Sequence, residues 1–130
     1  MQTDSANEQE RRKQQATFWL GYSQQLWGAI RYHEALEAAE RALALDEANP
    51  QAWYVKGACL CLLAQHQSAL EAFEQALQLD QEYAPAWDGK AWALGIMGKR
   101  AEALAAVDEA LRIDPDYFEA QRRKKRFLVP

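Results

Sequence analysis

Cys59 and Cys61 are the only cysteines in this 130-residue chain, and with His33 and His66 they are the side chains best suited to nucleophilic or metal chemistry. A metal centre needs its ligands on one face, and a nucleophile needs a base beside it. Two residues apart on a helix, Cys59 and Cys61 lie about 200° apart around its axis and cannot grip one ion. The same closeness unsuits them for a structural disulfide, and they read as reduced thiols. His33 and His66 sit at helix starts in different parts of the chain, where a capping or solvent-facing role is the plain expectation. Gly95 and Gly98 flank Ile96-Met97 inside a helix end rather than a phosphate-binding loop. The expectation is no catalytic residue, no cofactor, no metal and no enzymatic activity.

The five tryptophans lead to the elements that hold them. Aligning Ala16–Asn49, Pro50–Tyr83 and Ala84–Tyr117 puts Trp19, Trp53 and Trp87 at the fourth position of each 34-residue segment and Ala35, Ala69 and Ala103 at the twentieth. The segments close alike, on Ala42-Leu43-Ala44-Leu45-Asp46, Ala76-Leu77-Gln78-Leu79-Asp80 and Ala110-Leu111-Arg112-Ile113-Asp114. A fixed period of this size is the mark of a stacked repeat. Within each repeat, two runs of 12 to 14 residues carry apolar side chains at i, i+3, i+4 and i+7, the spacing of an amphipathic helix. Short turns at Ala29–Arg31, Ala64–His66 and Gly98–Arg100 make the two helices antiparallel, with Gly98 suited to a left-handed helix end. Asn49 caps the helix that Pro50 begins, and Pro85 also suits a first helical turn.

Composition agrees. The chain is 49% hydrophobic and 26% charged, and no stretch approaches the roughly 18 to 20 apolar residues of a membrane span. The first ten residues lack the basic start and apolar run of a secretory signal, so a cytoplasmic location is expected. Residues 118–130 hold five basic side chains against Glu119, leaving the preceding 117 residues at about −8 of a net charge of −4. An acidic body repels polyphosphate, which makes nucleic acid an unlikely main ligand.

The pattern resembles the tetratricopeptide repeat family, which calls for a large residue at position 4, small ones at 8, 20 and 27, and proline near 32. Ser23, Gly57 and Ala91 fill position 8, and Ala42, Ala76 and Ala110 fill position 27. Position 32 departs, being Pro115 in the third repeat but Glu47 and Gln81 in the others; at position 24 only Phe73 is large, against Ala39 and Val107. The resemblance implies an all-α, right-handed superhelical solenoid of seven helices: repeats at 16–49, 50–83 and 84–117, then a capping helix within 118–130. In the cap, Ala120, Phe127 and Leu128 face inward and Arg122 to Arg126 are solvated; residues 1–15, polar and without apolar period, are expected to be disordered or a frayed leading turn. Trp19, Trp53 and Trp87 are expected in the core.

The resemblance also implies a concave groove lined by positions 2, 5, 9, 12 and 13 of the first helices, with position 6 nearby, hence a protein or peptide partner. Those positions give Leu20, Gln24 and Trp27, then Tyr54, Val55, Ala58, Cys61 and Leu62, then Asp88, Trp92 and Ile96. The lining is mostly apolar and suits an apolar or amphipathic peptide or helix. The leading segment, the capping helix or a second copy of the chain are alternative occupants, which leaves homo-oligomer formation open. Some members clamp the acidic tail of heat-shock chaperones with lysines and asparagines at positions 5 and 9. Leu20, Gln24, Tyr54, Ala58, Asp88 and Trp92 stand there instead, which disfavours that ligand. Arg122, Arg123 and Arg126 offer a separate contact for an acidic partner or nucleic acid.

Overall fold

The computed structural model describes residues 2–129 and holds seven α-helices: α1 (Gln2–Gly28), α2 (Tyr32–Leu45), α3 (Pro50–Leu62), α4 (His66–Leu79), α5 (Ala84–Ile96), α6 (Arg100–Ile113) and α7 (Phe118–Leu128). No strand occurs among the described residues. Neighbouring helices in the chain pack as hairpins and hairpins pack in series, an all-α solenoid. The first helices α1, α3, α5 and α7 touch one another in succession, whereas α2, α4 and α6 do not. The stack therefore curves with its first helices on the inner side.

Three local devices repeat every 34 residues. Ile30, Ala64 and Gly98 each adopt a left-handed backbone, with φ of 63°, 63° and 80°. The next residue's N–H bonds back to close the helix: Arg31 to Leu26 O at 2.9 Å, Gln65 to Leu60 O at 2.8 Å, and Lys99 to Leu94 O at 2.9 Å. This is the usual left-handed helix end, but only one repeat gives it the glycine that carries no steric cost there. Between repeats, the Oδ1 atoms of Asp46, Asp80 and Asp114 accept the N–H of the residue two further on, fixing a tight loop. Asn49 Oδ1 accepts the Gln51 N–H at 3.0 Å, the cap expected before Pro50.

The third device corrects an expectation. Trp19, Trp53 and Trp87 are half-buried rather than sealed in the core. Trp53 Nε1 donates to Glu47 O at 2.9 Å and Trp87 Nε1 to Gln81 O at 2.8 Å. One edge of each indole thus fastens the loop that precedes its helix, while the ring packs on the core. Gln121 holds the same place in α7 and donates to Pro115 O at 2.7 Å. The amide keeps the loop contact that the indole makes and gives up its packing surface.

Small residues set the spacing of the helices. The position-20 and position-27 alanines are buried. So are Ala52, Ala86 and Ala120 at position 3, where α3, α5 and α7 meet the repeat before. In α1 that position is Phe18, 65% exposed. Phe73 is the largest fully buried side chain, and its ring lies 2.6 Å from where a Cβ on Gly57 would stand and 2.4 Å from one on Gly89. One phenyl ring thus fills the space left by glycines on α3 and α5.

Two ends differ from expectation. In place of a disordered or frayed lead, α1 continues through residues 2–15; Met1 lies outside the described residues. Glu, Gln, Arg, Lys and Ala favour helix, and extending a nucleated helix adds a hydrogen bond per residue at small cost. Arg12 Nη2 also donates to Ala44 O at 3.1 Å. In α7, Ala120 is buried and the Phe127 ring fills the space over Gly95, but Leu128 is exposed. Arg123 and Lys124 are engaged in ion pairs with Asp88 and Asp108 rather than free in solvent.

Packing and backbone conformation together predict how four substitutions change stability. Gly57→Ala and Gly89→Ala would destabilise by about 1–3 kcal/mol because the added methyl meets Phe73. Gly21→Ala, into open space, would stabilise by about 0.5–1 kcal/mol through helix propensity. Ile30→Gly would also stabilise, by about 1 kcal/mol, since the exposed isoleucine sits in a left-handed conformation. Urea unfolding of the four variants reads each change.

Candidate functional site: the inner face of the first helices

The inner face begins with a concave pocket of about 350 Å³ lined by Gln24 and Trp27 of α1, Gln51, Tyr54, Val55 and Ala58 of α3, and Tyr83 before α5. Helical spacing brings these together, because positions 2, 5 and 9 of α3 recur on one side as Gln51, Tyr54 and Ala58. Its walls are mainly aromatic and aliphatic, with two carboxamides at the edge. Trp27 is 42% exposed and leans on Tyr32, ring centroids 6.4 Å apart. Tyr54 is held by Phe73 at 5.9 Å and, edge to face, by Tyr83 at 6.0 Å.

Further along, the face changes character. Asp88 is buried, at 4% exposure, and its carboxylate accepts two hydrogen bonds from Arg123: Nε to Oδ1 at 2.7 Å and Nη2 to Oδ2 at 3.2 Å. The Arg123 guanidinium also lies over the Trp92 ring, 5.6 Å from its centroid, a cation–π contact. Where α1 meets α3 through buried Leu20 and Val55, α5 meets α7 through a bidentate ion pair. Arg122 rests over Phe118 at 5.6 Å. Arg122, Arg126 and Lys125 surround Arg123 and Glu119 in a shallow basic hollow.

Burial raises the tyrosines of this face above their ordinary range. Tyr54 is pushed up by burial first and by the Asp88 charge second. Burial carries Tyr83 to about 12 and Tyr117 well above its usual value. The two thiols are raised by burial as well, Cys59 to about 11 and Cys61 to about 12, so both stay protonated and weakly nucleophilic near neutral pH.

The expected groove residues fall into four sets. Gln24, Trp27, Tyr54, Val55 and Ala58 come together in the pocket. Leu20 and Cys61 are buried in the packing between helices and do not line the pocket. Asp88 and Trp92 are engaged by Arg123, while Leu62 and Ile96 are exposed outside the pocket lining. Gln51 and Tyr83 join the lining without having been expected there. Gln51 stands at position 2, so the repeat register already pointed to it. Tyr83 is the last residue of its repeat and is placed only by the turn into α5. Among the described residues no group of three or more His, Cys, Asp or Glu is arranged to hold a metal ion, and no helix is long and apolar enough to cross a membrane.

A curved stack of helical hairpins with an apolar inner pocket defines a class of helical-repeat protein. Tetratricopeptide repeat models match residues 50–83 and 84–117, more than half of the sequence, and the chain belongs to the tetratricopeptide repeat (TPR) family. Residues 16–49 lie outside both matches yet form the same hairpin, α1 with α2. No curated protein matches the sequence. The chain is similar in structure to the Arabidopsis OM64 TPR domain, with 19% identity, a TM-score of 0.85, and 90% of this chain and 97% of that one covered. It is also similar to the first TPR of Spaghetti (RPAP3) bound to the HSP90 peptide SRMEEVD, at 20% identity and TM-score 0.84, covering 88% and 91%. The second TPR domain of human RPAP3, solved with the HSP70 peptide SGPTIEEVD, aligns at 19% identity and TM-score 0.82, covering 94% and 99%. At such identities the likeness is one of fold.

The raised phenols make a pH prediction. A group that binds its proton more tightly in the folded chain adds stability that is complete below its unfolded value and vanishes as pH rises through its folded value. For Tyr83 the window runs from 10.0 to about 12. The melting temperature followed by circular dichroism should therefore fall across that window, with phenolate absorbance rising as helicity is lost.

Proposed function

We propose that the chain is a protein-interaction module that holds an apolar or amphipathic peptide or helix by an apolar side chain seated between Trp27, Tyr54 and Tyr83. The observation that carries this reading is the pocket itself. A volume of about 350 Å³ lies at the small end of the usual ligand-pocket range of about 300–1,000 Å³ and has room for one or two side chains. Trp27 remains exposed at its edge, as an aromatic anchor for a partner would. Gln24 and Gln51 supply donors and acceptors for a peptide backbone passing over the pocket.

TPR domains are protein-interaction modules, and RPAP3 domains of the same fold have been solved with HSP90 and HSP70 peptides. The residues at positions 5 and 9 of α1, α3 and α5 favour a different ligand here, since none is a lysine, arginine or asparagine. The reading involves no catalysis, and two protonated buried thiols suit a reducing compartment such as the cytoplasm. A second copy seated in the same pocket is the competing occupant.

Selection of displayed random peptides against the full chain should enrich sequences sharing a large apolar residue. Trp27→Ala should weaken the selected peptides by about tenfold or more while the melting temperature changes little, because the side chain is already half in solvent. Sedimentation of the free chain as a concentration-dependent dimer that Trp27→Ala dissolves would instead assign the pocket to self-association.

A further inference from the structure

The repeat register does not stop at α5. Counting Phe118 as position 1 places Glu119 at position 2, Arg122 at 5, Arg123 at 6 and Arg126 at 9, the positions that line the inner face on the earlier first helices. α7 packs against α5 as α5 packs against α3. The inner face therefore runs on from the aromatic pocket, past Asp88 and Trp92, to a fourth helix whose inward positions are basic.

These cations are not equivalent. Arg123 is spent on Asp88 and Lys124 on Asp108. Arg122, Lys125 and Arg126 enter no ion pair among the described residues, and they line one hollow around Arg123 and Glu119. The Asp88 charge, which would repel an anion at this point, is already met by two hydrogen bonds from Arg123. Tyr54 ties the two regions together: it lines the pocket and feels the charges of Asp88, Glu119 and Arg123.

We infer that the partner of this face is a peptide with an apolar anchor and an acidic stretch, the anchor seated in the pocket and the carboxylates on Arg122 and Arg126. The inference rests on the pocket reading above and adds charge and spacing to it. Adjacent helix axes lie about 8–10 Å apart, so the two steps from α3 to α7 span about 16–20 Å. At about 3.3 Å per residue, an extended chain covers that in about five or six residues.

The test repeats the peptide selection with the full chain and with an Arg122→Ala/Arg126→Ala variant. Both side chains are exposed and alanine favours helix, so the variant should keep the wild-type circular dichroism. Wild type should enrich peptides with Asp or Glu about five or six residues from the apolar anchor. The variant should keep the anchor and lose the acidic preference. Binding of a wild-type-selected peptide should drop about tenfold in the variant, two exposed charge contacts being removed. It should also weaken in wild type as salt is raised, a readout that needs no variant. An anchored consensus without acidic residues, or salt-independent binding, overturns the charge assignment and leaves the pocket standing. Absence of any consensus overturns both. Tight binding of a single-stranded oligonucleotide that the variant loses would make the hollow a nucleic-acid site and likewise overturn the proposal.

Discussion

The ring of Phe73 is the contact on which the stack depends. It comes from α4, lies wholly buried, and stands closer than a methyl group could to the backbone of Gly57 on α3 and Gly89 on α5. A single side chain thus sets the distance within one hairpin and the distance to the next. Because protein interiors are packed as densely as crystals, fixing those separations also fixes what rests on the ring. Tyr54 rests on it, and Tyr54 in turn carries a wall of the pocket. The recognition surface is therefore positioned by the core residue beneath it.

That arrangement explains why the middle repeat differs from its neighbours. Ala39 and Val107 occupy the equivalent place in the first and third repeats, where the partner at position 8 is Ser23 or Ala91 rather than glycine. Ser23 satisfies its buried hydroxyl locally, donating to Leu20 O at 2.6 Å. The serine hydroxymethyl or alanine methyl at position 8 returns part of the volume that position 24 gives up in those repeats. The consequence appears on the inner face: the pocket opens beside the repeat in which the bulky group lies deepest.

Much of this was legible in the sequence. The 34-residue period located every hairpin, and the alternation of small residues at 8, 20 and 27 marked where helices approach. Gly98 announced the left-handed turn; Ile30 and Ala64 concealed it, because nothing in an isoleucine or alanine signals positive φ. The groove was legible as a register and not as a surface. Position numbers place Leu20 and Cys61 toward the inner side, but only neighbouring helices determine that they are covered. The Asp88–Arg123 pair was invisible for a related reason. Each residue alone looks solvated, and 35 positions of chain separate them before the fold makes them partners. Residues 2–15 misled because polarity argues for disorder, whereas attachment to an existing helix supplies the nucleus that such a segment lacks alone.

Phe18 bears on how the array could grow. A further hairpin stacked on α1 would need to come as near as α2 does to α3, which Ala52 permits with its methyl group and a phenyl ring at the same place does not. At the opposite terminus Lys125 holds the place of Ser23, Gly57 and Ala91, so a helix seeking to pair with α7 would meet an ammonium group where the others met a hydroxyl, a hydrogen and a methyl. The two outer faces thus carry bulk and charge where the internal joints carry small groups, so a head-to-tail contact between copies would have to be built differently from the joints within the stack.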